Sequence, residues 1–315
     1  MTEPAGPSLP SMSVIIPTKN RPLCLDAIVG NLLAQSVRPQ QLIIVDQSEP
    51  DQSKVLVEGR YASALPRVRD HIRLCYIHDH QIPGAAVARN RGMEVADGDV
   101  WLFLDDDMGL ELEFVEEILA VYVRFPSVDG VSGIVTNYPR PRLGARLWTA
   151  IFLRGPFQDE RQLIYWNAER LRTSDPIPVT KFGSGLMSFR ASVVRNHRFH
   201  GALRGLPPGE DVDFCARLGS DVTLVIAPRA RTTHDQSPIG RTADHWLKEY
   251  AQGKLYPYYR NWSHGIRNHF ACAWFTLGCA FLAIFACLRR RSRAPWRALL
   301  QGLREAARLA TLPTS

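Results

Sequence analysis

Sulfur is sparse in this 315-residue chain, which has six cysteines and five methionines. Cys24, Cys75, Cys215, Cys272, Cys279 and Cys287 show no Cys-x-x-Cys spacing and no zinc pattern. Neither a disulfide framework nor a zinc module is expected, and the thiols read as small buried hydrophobes in a reducing compartment. Met1 to Ser11 is rich in Pro, Ser and Gly and has no apolar core, so it reads as a disordered lead and not a signal peptide. Glycines are absent from Pro17-Thr18-Lys19-Asn20-Arg21, where a nucleotidyltransferase would need a glycine-rich, lysine-bearing phosphate loop. Acidic residues are outnumbered, 31 against 38 basic, for a net charge of +7. The shortage is local: Arg289, Arg290, Arg291, Arg293, Arg297, Arg304 and Arg308 are opposed by Glu305 alone. Such a cluster suits anionic lipid or nucleic acid.

What the chain does have is a junction at Val100-Trp101-Leu102-Phe103-Leu104-Asp105-Asp106-Asp107, five apolar residues running into three carboxylates. The apolar run suits a strand buried on both faces of a parallel sheet. Ligands of open α/β sheets bind beyond the carboxyl ends of such strands. Three adjacent carboxylates repel one another unless a cation sits among them, and a hard divalent metal carrying a diphosphate is the economical candidate. Asp105, Asp107 and Glu116 also fall at positions 1, 3 and 12 of a calcium loop, but Leu110 replaces its glycine and a strand precedes it. An Asp-x-Asp phosphatase is disfavoured by Met108-Gly109, where a hydroxyl residue would follow. A solvated acidic turn is the plain alternative.

Around this junction, strand-like and helix-like segments alternate from Ser13, which argues for βαβ units. Strands are expected at Met12 to Ile16, Leu42 to Val45, Ile72 to Ile77, Val100 to Leu104 and Gly130 to Thr136. Helices are expected at Pro22 to Gln35, Ala85 to Ala96 and Glu111 to Arg124. Residues 137 to about 180 lose the rhythm and read as a long, partly helical insertion or loop over a site. Regularity returns with a glycine-opened strand, Gly183 to Arg190, then an acidic helix start at Gly209-Glu210-Asp211. Val222 to Ile226 reads as the last strand, with His234 in the loop after it.

Several segments fall in a telling order: Ser13-Val14-Ile15-Ile16-Pro17-Thr18-Lys19-Asn20-Arg21, Ile43-Ile44-Val45-Asp46-Gln47-Ser48, Ala88-Arg89-Asn90-Arg91-Gly92, the Asp triplet, Gly209-Glu210-Asp211 and His234. Together, over about residues 12 to 240, they resemble the inverting nucleotide-sugar glycosyltransferases of family 2. The resemblance implies a GT-A fold, a Rossmann-like mixed α/β sheet flanked by helices. It implies that Asp107 ligates a divalent cation, Mn²⁺ or Mg²⁺, and that Asp105 or Asp106 contacts the ribose or a metal-bound water. Pro17, Thr18, Asn20, Asp46, Arg89 and Asn90 match positions near the nucleoside. Plainer readings are a strand-end cap for Asp46, an exposed helix start for Arg21, and helix surface for Arg89 and Asn90. Gln47 stands where the family often has a second acid, and its amide can still hydrogen-bond a pyrimidine.

Asp211 matches the acid that takes the acceptor hydroxyl's proton, work that needs a positioned carboxylate. The plain alternative is a first-turn acid favoured by the helix dipole, and Asp213 reads as first-turn decoration. His234, 23 residues after Asp211, matches a metal-ligating histidine, and its nitrogen mildly favours Mn²⁺. Gly183 and Gly185 suit close backbone approach to a sugar or to a neighbouring strand.

Phe270 to Leu288 holds 19 residues without a charge, about 28 Å of helix against roughly 30 Å of bilayer hydrocarbon. Beside the arginine cluster this favours membrane over nucleic acid. A single span would put the cluster outside, against the positive-inside rule. The segment is therefore interfacial, re-entrant or a rule-breaking span, or else a helix packed on the catalytic domain. Leu299, Leu300, Leu303, Ala306, Ala307 and Ala310 form one stripe, as in an interfacial helix.

The expected organisation is a lead over 1–11, a catalytic domain over 12–252 divided into a nucleotide-sugar half (12–136) and an acceptor half (137–252), and a membrane-associated helical tail over 253–315. The expected activity is metal-dependent, inverting transfer of a sugar from a nucleoside-diphosphate donor to a glycan or lipid-linked acceptor. Its expected place is cell-envelope polysaccharide synthesis at the cytoplasmic membrane face. A nucleotidyltransferase and a non-catalytic sugar-nucleotide-binding scaffold are the alternatives.

Overall fold

The computed structural model describes residues 8–51, 53–61, 72–171, 173–183, 185–201, 209–235, 246–261 and 265–312. Residues 1–7 of the expected lead and Ser184 of the expected glycine-opened strand lie outside the described residues. Strands Met12–Thr18 (β1), Gln41–Asp46 (β2), Arg73–His78 (β3) and Val100–Leu104 (β4) form the parallel half of a nine-stranded mixed sheet. Every residue of β1, β2 and β4 is buried, as continuous apolar runs require when helices cover both faces. From β1 the chain builds β2 and β3 to one side, then returns to the other side for β4. This reversal opens a crevice at the carboxyl ends of β1 and β4, the usual ligand position in such sheets.

The second half of the sheet is mixed. Leu186–Arg190 (β8) runs antiparallel between β4 and Gly130–Val135 (β6), and Leu224–His234 (β9) runs parallel to β6. Two three-residue strands, Met108–Leu110 (β5) and Ile177–Val179 (β7), pair antiparallel with β9. Neither was expected, and because β5 uses Met108 to Leu110, the following helix starts at Phe114.

His234 ends β9 and does not lie in a loop beyond it. The β6–β9 register jumps from Ser132↔Ile226 to Ile134↔Arg231, so Ala227 to Ala230 bulge out and pairing resumes. Pro228, which argues against a strand interior, falls within that bulge. The insertion after β6 contains helices Leu143–Phe152 and Glu160–Trp166 besides β7.

Three helices follow: Trp246–Asn261, which runs through residue 252, Ile266–Arg290 and Ala294–Ala310. They build a second core around Phe157, Leu255, Tyr256, Phe275 and Leu299, separate from the core of the sheet. Of the expected stripe on Ala294–Ala310, Leu299 and Ala306 are buried, Leu300, Leu303 and Ala310 are half-buried and Ala307 is exposed. This helix packs largely on Trp246–Asn261, so most of the stripe faces protein. Ile266–Arg290 is long and apolar enough to cross a membrane. Ala271, Phe275, Gly278, Cys279 and Ala283 on one face are buried, whereas Phe270, Leu277, Phe281, Phe285 and Leu288 are exposed.

Candidate active site

The three aspartates at the end of β4 point in different directions, and two of them share Arg21. Asp106 turns back into the protein, accepting from Thr18 Oγ1 at 2.6 Å and Arg21 Nη1 at 2.9 Å. Burial pushes its pKa up to about 6, with Thr18 and Arg21 pulling in the other direction. Asp105 pairs with Arg89 Nη2 at 2.8 Å. Gly185 makes room for this carboxylate: its φ is +83°, and any Cβ there would overlap the Asp105 side chain. Of the two readings of that glycine, close packing is the one the geometry supplies.

Asp107 faces β9. Its Oδ1 lies 3.1 Å from His234 Nε2, and its Oδ2 lies 3.2 Å from Arg21 Nη1. The pairing Met108↔His234 sets this contact, because β5 carries the end of the aspartate triplet alongside the end of β9. Asn137, not anticipated from sequence, accepts from the His234 backbone N–H at 2.9 Å and holds that end in place. Asp105, Asp107 and His234 each offer a ligand atom, all within 4.8 Å of one another. Two carboxylates and an imidazole suit a divalent first-row ion, Mn²⁺ better than Mg²⁺.

Arg89 joins the two halves. It is 1% exposed and bridges Asp105 to Glu210 at the start of helix Glu210–Leu218. Burial works against the charged guanidinium, but Glu210 and Asp105 outweigh it and hold its pKa above the usual value. Asp211, 4% exposed, sits beside it. Burial raises its pKa, and the nearby Arg161 offsets part of that rise. Asp211, His234, Arg161, Lys181 and Gly183 share one cavity of about 220 Å³.

Asp213 is buried and bonded to Arg217 Nε and Asn261 Nδ2, both at 2.9 Å. It ties this helix to Trp246–Asn261 and is no surface decoration.

At the nucleoside end, Pro17 pairs with Val45 and Thr18 with Asp46 across β1 and β2. Asn20 is exposed at φ 55°, its backbone N–H donating to Ser48 Oγ at 2.7 Å. Asp46 is fully buried, with Oδ1 accepting from Ser48 and Oδ2 from Tyr76. Gln47 beside it is buried, and its Oε1 has no hydrogen-bond partner among the described residues. Asn90 is not brought to this group: its amide clamps the Phe199 backbone, donating at 2.8 Å and accepting at 2.7 Å. Arg21, Arg161 and Lys181 are charged neighbours of the site that were not among the expected site residues. Arg21 follows directly on the β1 motif, which is a signal; Arg161 lies in the irregular insertion and has none.

The fold is that of the GT-A glycosyltransferases. A mannosyltransferase from Pyrobaculum calidifontis in complex with GDP-Man and Mn²⁺ superposes with a TM-score of 0.56 at 17% identity, covering 96% of this chain and 87% of that one. S. aureus TarS in complex with UDP-GlcNAc gives 0.60 at 15% identity, covering 94% and 80%. The family model described as glycosyl transferase family 2 matches residues 13–193, and the chain belongs to that family. Among curated relatives, a validoxylamine A glucosyltransferase of Streptomyces hygroscopicus is 27% identical over 142 residues, 43% of this chain and 30% of the relative. A GalNAc(5)-diNAcBac-PP-undecaprenol beta-1,3-glucosyltransferase of Campylobacter jejuni is 28% identical over 99 residues, 31% of this chain and 30% of the relative. The matches with the first four relatives span between 19% and 36% of those proteins' lengths.

Proposed function

We propose that this chain is a metal-dependent, inverting glycosyltransferase that moves a sugar from a nucleoside-diphosphate donor to a glycan or lipid-linked acceptor. The observation that carries the reading is the convergence of Asp105, Asp107 and His234 within 4.8 Å at the β1/β4 crevice, with Asp211 and His234 lining one cavity. Asp105, Asp107 and His234 would hold Mn²⁺ or Mg²⁺, which supplies Lewis-acid neutralisation of the departing diphosphate. Arg21 steadies Asp107 and Asp106, and Arg89 steadies Asp105. Asp211 takes the acceptor hydroxyl's proton, and attack opposite the leaving group gives inversion. The nucleoside lies along the ends of β1 and β2, where Gln47 offers a buried acceptor. The catalytic domain covers residues 12–252 in its two halves, and the tail holds the enzyme on the cytoplasmic membrane face, in cell-envelope polysaccharide synthesis.

The test is a screen of UDP-, dTDP- and GDP-sugars with Mn²⁺ or Mg²⁺, read by thermal shift and slow donor hydrolysis. With the donor in hand, Asp211→Asn is expected to lower transfer by about 10²–10⁴-fold, the usual worth of a positioned base. Asp107→Ala is expected to abolish metal-dependent donor binding. Full transfer by both variants would overturn the assignment.

A further inference from the structure

Among the described residues, the cavity beside Asp211 carries more cations than carboxylates. Arg161, Lys181 and Lys254 line it, against the carboxylates of Asp159 and Asp211. Asp159 is the shared counterion, accepting from Arg161 Nε at 2.8 Å and Nη2 at 2.7 Å and lying 3.6 Å from Lys254 Nζ. Glu160 stands outside the lining and accepts from Thr180 Oγ1. Lys181 is 4% exposed and donates to the Pro156 carbonyl at 3.2 Å. Burial, then repulsion from Lys254, brings its ammonium down to about 8.

One donor is left over. Arg161 Nη1 is buried with no hydrogen-bond partner among the described residues. It sits against Gly183, where any side chain would overlap it. Gly183, three residues before β8, therefore leaves room for a guanidinium N–H at the cavity wall. A buried, unpaired guanidinium donor flanked by two ammonium groups is the recognition chemistry of an oxyanion.

We propose that Arg161, Lys181 and Lys254 form a subsite for an oxyanion, a phosphate or a carboxylate, carried by the acceptor. This deepens the glycosyltransferase reading and rests on it, because Asp211 as base faces the acceptor hydroxyl. The acceptor's anion is then held by side chains, apart from the donor diphosphate at Asp105, Asp107 and His234. Lys254 lies on the helix that packs against the C-terminal helices, so the same segment that anchors the tail also contributes to the subsite.

The experiment uses the full chain saturated with Mn²⁺ or Mg²⁺ and with UDP, dTDP or GDP, whichever binds, so that the donor side of the site is already filled. Inorganic phosphate and methyl glucuronide are titrated separately and binding is read by calorimetry. Saturable binding of at least one is expected, weakened at least tenfold by Lys254→Gln and by Lys181→Gln and recovered in part by Lys254→Arg. Preference for phosphate assigns a phosphate-bearing acceptor, and preference for the glucuronide a uronic acid. Melting curves identify a variant that has simply unfolded, in which case the other variant decides. No saturable binding of either anion, or unchanged binding by the folded variants, overturns the subsite. Failure of the wild type to bind any of UDP, dTDP and GDP with Mn²⁺ or Mg²⁺ overturns the metal-dependent donor reading instead.

Discussion

Asp105, Asp106 and Asp107 are consecutive, yet they face Arg89, Thr18 with Arg21, and His234 respectively. The triplet was legible as a charge cluster at a strand end, because the apolar run before it is a local pattern. The side chains each aspartate pairs with were not, since each lies 16 or more residues away. The same limit hid the role of Arg89. Its guanidinium is enclosed between two carboxylates from different halves, so Arg89→Ala leaves Glu210 buried and Asp105 half-buried without their cation. Removing one partner of a buried pair costs about 3–5 kcal/mol, and urea unfolding is expected to show a loss of that order. Lysine at this position cannot span both carboxylates with a planar fork, so Arg89→Lys is expected to recover only part of it.

Asp211 gives a pH prediction with a definite sign. Burial raises its pKa despite Arg161, and a general base works only when ionised. Transfer therefore holds above the raised pKa and falls as pH drops through it. The acid limb of kcat/KM is expected above the ordinary aspartate value of about 3.9. Arg161→Gln removes the offsetting cation and is expected to move the limb to higher pH. A limb at the ordinary value, or one that stays in place in Arg161→Gln, would remove Asp211 from the role.

At the scale of elements, long apolar strands announced themselves and short ones did not. β1, β2 and β4 are fully buried runs, and their hydrophobicity is visible without knowing their neighbours. β5 and β7 have three residues each, too few for any periodicity, and they exist because β9 offers them an edge. β9 itself looked finished at Ile226 because Pro228 and Arg229 interrupt it, and only the bulge opposite β6 lets it continue to His234. The grouping of Asp105, Asp107 and His234 depends on this unforeseen pairing. Gly109 pairs with Thr233, and a Cβ at Gly109 would come within 2.5 Å of Thr233 Oγ1. Gly109→Val is therefore expected to push β5 off β9 and separate Asp107 from His234 without altering either ligand. Supporting groups around a metal are typically worth 10–100-fold in affinity, and a Mn²⁺ titration is expected to show a loss in that range. Wild-type affinity in this variant would mean that the pairing does not position the ligands.

For the whole molecule, the long apolar helix Ile266–Arg290 gives a prediction about membrane contact. A span would show lipid-facing side chains around its circumference, but this helix buries one face against the protein. Trp148 Nε1 donates to the Gly278 carbonyl at 3.0 Å, and Trp274 Nε1 to the Ile151 carbonyl at 2.8 Å. Its partner, Leu143–Phe152, exposes Leu143, Leu147 and Ile151, so both helices leave apolar side chains outward. An in-plane helix removes the conflict with the positive-inside rule, because the arginines after Leu288 stay on the side of the catalytic domain. Each large apolar side chain buried is worth roughly 1.5–3 kcal/mol, and each basic residue near an anionic surface about 1 kcal/mol. The chain is therefore expected to sediment with mixed phosphatidylcholine and phosphatidylglycerol vesicles and less with phosphatidylcholine alone. High salt screens the arginines but not the apolar face, so release should be partial. Phe281→Asp with Phe285→Asp is expected to release the protein fully. Tags before Met1 and after Ser315 should be cleaved from the same side of sealed vesicles, whereas protection of one alone would restore the span.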